Sequence, residues 1–455
     1  MAYKPEFWII STDTESAHYV ENTLSHISGG SQIALLTHFQ GYESIFDGET
    51  LSAAGLIFII LSDEMVDADK EAVSDLIRHL KTKSEGTAPL VVVLSSIEMV
   101  DYHQVIAEAD EYLPLPLNTA HLEARLRALL RLNVMYHEFW CRSETNRRFG
   151  VEEQTVFDIQ DAAVSKALCV SLPAGALPHW SEQVPDWLVI DTVGDVEDAV
   201  TMLRGGEYSC CLIVVNDGLL QEASEFAETI RKYPRLYSLP VLLMSGQEIS
   251  VGTIEQVISS GVTDIFSMPE GEDLSLFSRL SFYIRQEKLR AKLQAFYKED
   301  TKMSVCDSLT GLYNYGYFMD HTQALIERMD ENNRPVSLCC FYLEGLEDIN
   351  RNYGYAGGDY VLQQVGVLIG RLHRGEDTAA RIGAGFFALL MPNTTEEQAK
   401  VVINRITSII RHTELSYKEY GKIFPLVLRG VTAPLQANVG INQKIRELKD
   451  CLFKK

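Results

Sequence analysis

The sequence predicts an α/β fold on two observations. Short β-branched runs alternate with amphipathic segments, which implies parallel sheets covered by helices, and that pattern passes twice through the first two thirds of the chain. The length of 455 residues exceeds one core, and about 150 residues per domain suggests about three domains.

The first copy offers strands at Phe7 to Ile10, Gln32 to Leu36, Leu56 to Leu61, Leu90 to Leu94 and Glu111 to Leu113. The second offers Ala167 to Val170, Leu188 to Ile190, Cys211 to Val215, Val241 to Met244 and Asp264 to Phe266. Five strands per copy fit a flavodoxin-like sheet, whose ligands gather at the carboxyl ends of the strands. Leu122 to Arg148 reads as one long helix, with Arg125, Arg127, Arg131, Arg147 and Arg148 expected on a solvated face or opposite carboxylates of the same chain. Leu274 to Lys298 reads as a final helix extended into a linker or stalk. The expected boundaries are a first domain at 1–135, a helical linker at 136–163, a second domain at 164–292, a linker helix at 293–305 and a third domain at 306–455.

Hydrophobic residues at 46% and charged residues at 23% suit soluble globular domains. A formal charge of -23 repels phosphate backbones, so no nucleic-acid partner is expected, although a local basic pocket for one nucleotide is compatible with it. The eight cysteines show no zinc spacing and read as buried thiols. Neither a signal peptide nor an uninterrupted apolar span is present, so membrane insertion is not expected and the cytoplasm is the expected compartment.

Two runs carry a first resemblance. Ala109-Asp110-Glu111-Tyr112-Leu113-Pro114-Leu115-Pro116 and Gly261-Val262-Thr263-Asp264-Ile265-Phe266-Ser267-Met268-Pro269 resemble the GADDYLxKP run of response-regulator receiver domains, with Leu115 and Met268 in place of its lysine. The resemblance puts Ile60 and Asn216 at the phosphoacceptor positions, where neither can form an acyl phosphate. Asp63 and Asp217 lie just beyond, and a register slip would promote Asp217. Only Asp13 remains of the acidic residues after the first strands, too few for magnesium, while Ser95 and Ser245 keep the hydroxyl after the fourth.

A second resemblance covers Cys306 to Leu452. Asp307-Ser308-Leu309-Thr310-Gly311-Leu312 opens the domain and Gly383-Ala384-Gly385-Phe386-Phe387 stands where the GGDEF family carries its signature, so the third domain is expected to adopt that family's nucleotidyl-cyclase-like α+β fold. The family joins two GTP molecules with the help of magnesium. Here Tyr342 and Gly385 replace the metal-binding acids, Phe386 replaces the next acid, and Arg446 and Lys449 only weakly match the basic triphosphate residues. The resemblance implies a catalytically inactive domain with no catalytic residue, metal or required cofactor. Asn350 and Asp359 match its guanine-reading residues as vestiges. Arg374-Gly375-Glu376-Asp377 keeps the RxxD pattern, with Arg405 at the second arginine, by which such domains bind cyclic di-GMP as a regulatory ligand; a surface ion pair between Arg374 and Asp377 is the plain alternative.

Together the resemblances describe a tandem-receiver GGDEF response regulator with degenerate sites. They imply a cyclic di-GMP effector or adaptor that recruits protein partners to the cell pole, such as a protease adaptor and its substrate, for ClpXP-dependent proteolysis of a cell-cycle regulator, with receivers available for homodimerisation. A diguanylate cyclase of unusual signature and a nucleotide-free scaffold are the competing readings.

Overall fold

The computed structural model describes residues 6–24, 30–35, 56–61, 67–82, 90–95, 109–115, 119–151, 164–172, 184–215, 219–233, 236–246, 249–267, 275–295, 305–331, 334–413, 415–417, 422–424, 426–436 and 440–453. The chain forms two compact units, one of Glu6–Leu132 with Val156–Lys288, the other containing Asn133–Thr155 and Leu289–Lys455.

The first unit holds two parallel five-stranded sheets. Strands β1 (Glu6–Ser11), β2 (Gly30–Leu35), β3 (Leu56–Leu61), β4 (Leu90–Ser95) and β5 (Glu111–Pro114) lie in the order β2-β1-β3-β4-β5, with helices α1 (Thr14–Leu24), α2 (Asp67–Thr82) and the start of α3 (Thr119–Arg148). The second sheet repeats that order as β7-β6-β8-β9-β10, from β6 (Ser165–Leu172), β7 (Leu188–Val193), β8 (Cys210–Val215), β9 (Val241–Ser245) and β10 (Asp264–Ser267), with helices α4 (Val196–Gly205), α5 (Leu220–Arg231), α6 (Val251–Ser259) and α7 (Ser275–Ala295). This is the flavodoxin-like order. Strands β3, β4, β8 and β9 are buried at every residue, as continuous apolar runs covered on both faces require.

Strand register corrects the pairing of the expected phosphoacceptor positions. Ser95 lies opposite Leu61, whereas Ser245 lies opposite Val215, so Val214 is the counterpart of Ile60 and Ser62 the counterpart of Asn216. The two copies were therefore offset by two residues. Neither Ser62 nor Asn216 is acidic, and these positions, with Asp63, Asp217 and Met268, lie outside the described residues.

The arginine stripe also divides. Arg131, Arg147 and Arg148 are exposed, but Arg125 is buried, because β5 and β10 begin with carboxylates that face it. Arg125 forms ion pairs with Glu111 and Asp264, and its Nη1 donates to Tyr283 Oη at 2.8 Å. Arg285 donates to Asp110 Oδ1 at 2.8 Å. The side chain of Arg127 lies outside the described residues.

In the second unit, β11 (Val336–Glu344), β12 (Thr378–Arg381), β13 (Phe386–Pro392) and β16 (Val427–Leu435) form an antiparallel sheet ordered β12-β13-β11-β16. One apolar layer draws on α8 (Tyr315–Glu331) and α11 (Ile441–Phe453), the other on α9 (Leu346–Leu372) and α10 (Glu396–Arg411). A short hairpin pairs β14 (Leu415–Tyr417) with β15 (Lys422–Phe424). The stretch expected as a linker at 136–163 is in part core: Glu138, Cys141, Arg142 and Thr145 of α3 are each at most 1% exposed.

Candidate functional site

Gly383 and Ala384 form the exposed tip of the β12–β13 hairpin, and three interactions fix it. Ile382 N donates to Phe386 O, Leu343 N donates to Gly385 O, and the Arg381 guanidinium reaches the carbonyls of Gly383 and Ala384. Arg381 also pairs with Asp307 at 3.2 Å. Thr310 donates its N–H and hydroxyl to the same carboxylate, so the Asp307-Ser308-Leu309-Thr310 turn and the signature hairpin share one ionic anchor. Burial would raise the Asp307 carboxyl, but the Thr310 hydrogen bonds and Arg381 outweigh it and hold it below its ordinary value.

Aromatic rings occupy one position at which the resemblance expects a metal ligand, Tyr342, and the next acidic position, Phe386, while the second ligand position is Gly385. Tyr342 and Phe386 are cross-strand partners with ring centroids 4.8 Å apart, and Phe453 joins them at 4.9 Å and 5.9 Å. Lys449 Nζ lies 4.6 Å from the Phe386 ring centroid and within 3.4 Å of Ile382 O. Glu344, the nearby carboxylate, is paired with Arg429. Such a face offers π surface and one ammonium, and it lacks the carboxylate oxygens that a hard cation requires. Among the described residues no cluster of three His, Cys, Asp or Glu side chains is arranged to hold a metal.

Asn350 and Asp359 lie on either side of a kink in α9. Gly354 takes φ +73, which reverses the helix locally, and the Asn350 amide packs against Gly358, where any Cβ would overlap it. Asp359 is exposed beside that contact. In the first unit, Asp13 serves a local role: its carboxylate accepts from Ser16 N at 2.9 Å and Glu15 N at 3.2 Å, capping α1, and the Ser16 bonds lower its pKa. Ser95 and Ser245 are buried at the ends of their strands.

The residues of the RxxD pattern gather where α9 gives way to β12. Arg374 N donates to Asp377 Oδ2 at 2.8 Å and Asp377 N donates to Arg374 O at 3.2 Å, closing a tight turn. Arg405, on α10, donates to Leu372 O at 2.8 Å and so satisfies a carbonyl at the end of α9. Arg374 is exposed, and its side chain makes no hydrogen bond or ion pair among the described residues. The three residues are thus neighbours with unequal duties: Asp377 is 1% exposed and shapes the turn, Arg405 braces the helix end, and Arg374 faces solvent. His373 Nδ1 donates to Arg374 O at 2.6 Å, and burial pushes its imidazole down to about 4.

Behind this turn lies a buried polar cluster that sequence reasoning missed. Arg142 is fully buried; its Nε donates to Glu138 Oε1 at 2.6 Å, Nη1 to Leu293 O at 3.0 Å, and Nη2 to Asp377 O at 2.7 Å and Thr378 Oγ1 at 3.0 Å. Glu138 Oε1 also accepts from His321 Nε2 at 3.0 Å and Thr378 Oγ1 at 2.8 Å. Burial would raise the Glu138 carboxyl, but attraction to His321 and Arg142 with these hydrogen bonds holds it down at about 2. The available signal was an i, i+4 Glu138–Arg142 pair amid aromatic and apolar residues.

Residues 304–443 match the family described as diguanylate cyclase, GGDEF domain, so the chain contains a GGDEF domain. The response regulator PleD of Caulobacter vibrioides is 26% identical over 308 residues, covering 66% of this chain and 64% of that protein. The uncharacterized protein YhcK of Bacillus subtilis is 33% identical over 132 residues, 29% of this chain and 36% of that protein. Among solved structures, the GGDEF domain of FimX from Pseudomonas aeruginosa is 25% identical with a TM-score of 0.31, covering 33% of this chain and 92% of that one. The chain thus spans less than two thirds of the length of PleD.

Proposed function

We propose that this protein is a catalytically inactive GGDEF response regulator that binds cyclic di-GMP at the Arg374 turn. The observation that carries the reading is the contrast between two places in one domain. Where magnesium would need carboxylates, Tyr342, Phe386 and Phe453 pack in tilted and edge-on contacts; where a guanine would need an arginine fork, Arg374 stands exposed, with no side-chain partner among the described residues, on a turn pinned by Asp377. Arg405, with a buried Nε that lacks a hydrogen-bond partner among the described residues, retains donor capacity beside it. The two five-stranded sheets are read as receivers with no phosphoacceptor, serving as docking surfaces. On that reading the protein recruits partners at the cell pole, in the manner of effectors such as PopA, and promotes ClpXP-dependent turnover of a cell-cycle regulator.

Calorimetry on the full chain tests the binding claim. Cyclic di-GMP at micromolar concentration is expected to give a saturable signal, and Arg374→Ala should weaken it about tenfold or more, the equivalent of a lost bidentate contact of about 1–3 kcal/mol. A parallel incubation with GTP and magnesium or manganese should yield no cyclic di-GMP. Product formation would favour the cyclase reading, and absence of both signals the scaffold reading.

A further inference from the structure

We propose that Arg142 couples the Arg374–Asp377 turn to the helical stem of its unit, so that occupancy of the turn and packing of the stem segments Asn133–Arg148 and Leu289–Ala295 favour each other. The inference rests on the reading that cyclic di-GMP binds at this turn. One guanidinium satisfies main-chain carbonyls of two separate elements, Asp377 O in the turn and Leu293 O in α7, while its third edge is fixed by Glu138 on α3. A buried carbonyl needs its donor, and a planar guanidinium holds its partners in one geometry. Neither carbonyl can shift far without loss of a hydrogen bond in a site from which water is excluded. Thr378, the residue after the motif, closes the circuit by accepting from Arg142 and donating to Glu138. Glu138 Oε2 is buried without a hydrogen-bond partner among the described residues, so the carboxylate depends on the donors gathered at Oε1 and is sensitive to their placement. A second contact reinforces the link: the Arg290 side chain of α7 lies against Gly375, where an added Cβ would sit 2.9 Å from its Cγ.

By reciprocity, if cyclic di-GMP tightens this network then a loosened network must weaken cyclic di-GMP binding by the same factor. The experiment combines calorimetry with hydrogen exchange on the full chain, with and without cyclic di-GMP. In the wild type the ligand should slow exchange across 133–148 and 289–295. Thr378→Val, which keeps the side-chain shape but deletes the hydroxyl, should weaken binding about tenfold and abolish the slowing, as should Arg142→Lys; Thr378→Ser should restore both. If Arg142→Lys fails to fold, the Thr378 pair decides the question. Variants that bind as tightly as wild type and keep the ligand-dependent slowing would overturn the coupling and leave the effector reading standing, and so would variants that lose only melting temperature. A wild-type protein that gives no binding signal would remove the effector reading and the coupling with it.

Discussion

At the scale of single residues, the C-terminal unit stakes stability on two titrating groups. His373 is held down at about 4 from 6.5, so between those values the unfolded chain takes up a proton that the folded one refuses. Stability from this group is present above pH 6.5 and is lost as pH falls toward 4. Glu138, held at about 2 from 4.5, adds stability above pH 4.5 that is lost as pH falls toward 2. Melting temperature followed by circular dichroism should therefore decline in two stages, and a flat profile between pH 6.5 and 4 would contradict the first. Glu138→Gln should cost about 3–5 kcal/mol, measured by denaturant unfolding, since it leaves the buried Arg142 charge uncompensated. Arg374 and Asp377 before the signature run and Arg405 after it could be picked out in the sequence by their separation from that run. Their unequal duties were not, since only the folded turn shows that the Asp377 carboxylate accepts from the Arg374 backbone N–H. Arg142 escaped notice because a charged residue on a long helix reads as solvated until a neighbouring carbonyl is seen to need it.

Secondary-structure elements were the most readable part of the chain. β3 occupies Leu56–Leu61 as expected, and most other strands extend only one or two residues beyond their expected bounds, because polar ends such as Ser95 and Ser245 belong to the ladder without looking like strand. Register was less legible, since apolar runs buried on both faces carry no alternation to fix it; hence the offset between Ile60 and Asn216. Within α9, Gly366 passes so close to the Asp307–Leu312 loop that an added Cβ would lie 2.7 Å from Thr310 Cβ and 2.9 Å from its carbonyl oxygen. Gly366→Ala should destabilise the second unit by about 1–3 kcal/mol through overpacking, and an unchanged unfolding midpoint would show that the loop yields freely.

For the whole molecule, the division into units does not follow the expected domain boundaries, because α3 gives its first part to the sheets and its second part to the GGDEF-containing unit. Within the sheet-bearing unit, Arg125 joins Glu111 of one five-stranded sheet to Asp264 of the other. Arg125→Ala should unfold that unit at denaturant concentrations lower by the equivalent of about 3–5 kcal/mol, as two buried carboxylates lose their partner. An effect as small as that of an exposed pair, about 1 kcal/mol, would mean that water reaches them. The aromatic trio also limits what one substitution can do. Its members come from three separate elements, β11, β13 and α11, so an acid placed at any one position stands beside two rings that offer no oxygen ligand, with the Lys449 ammonium near the Phe386 position. A single carboxylate introduced there should therefore lower the unfolding midpoint without creating a magnesium site, since a hard cation takes its oxygens from several groups at once.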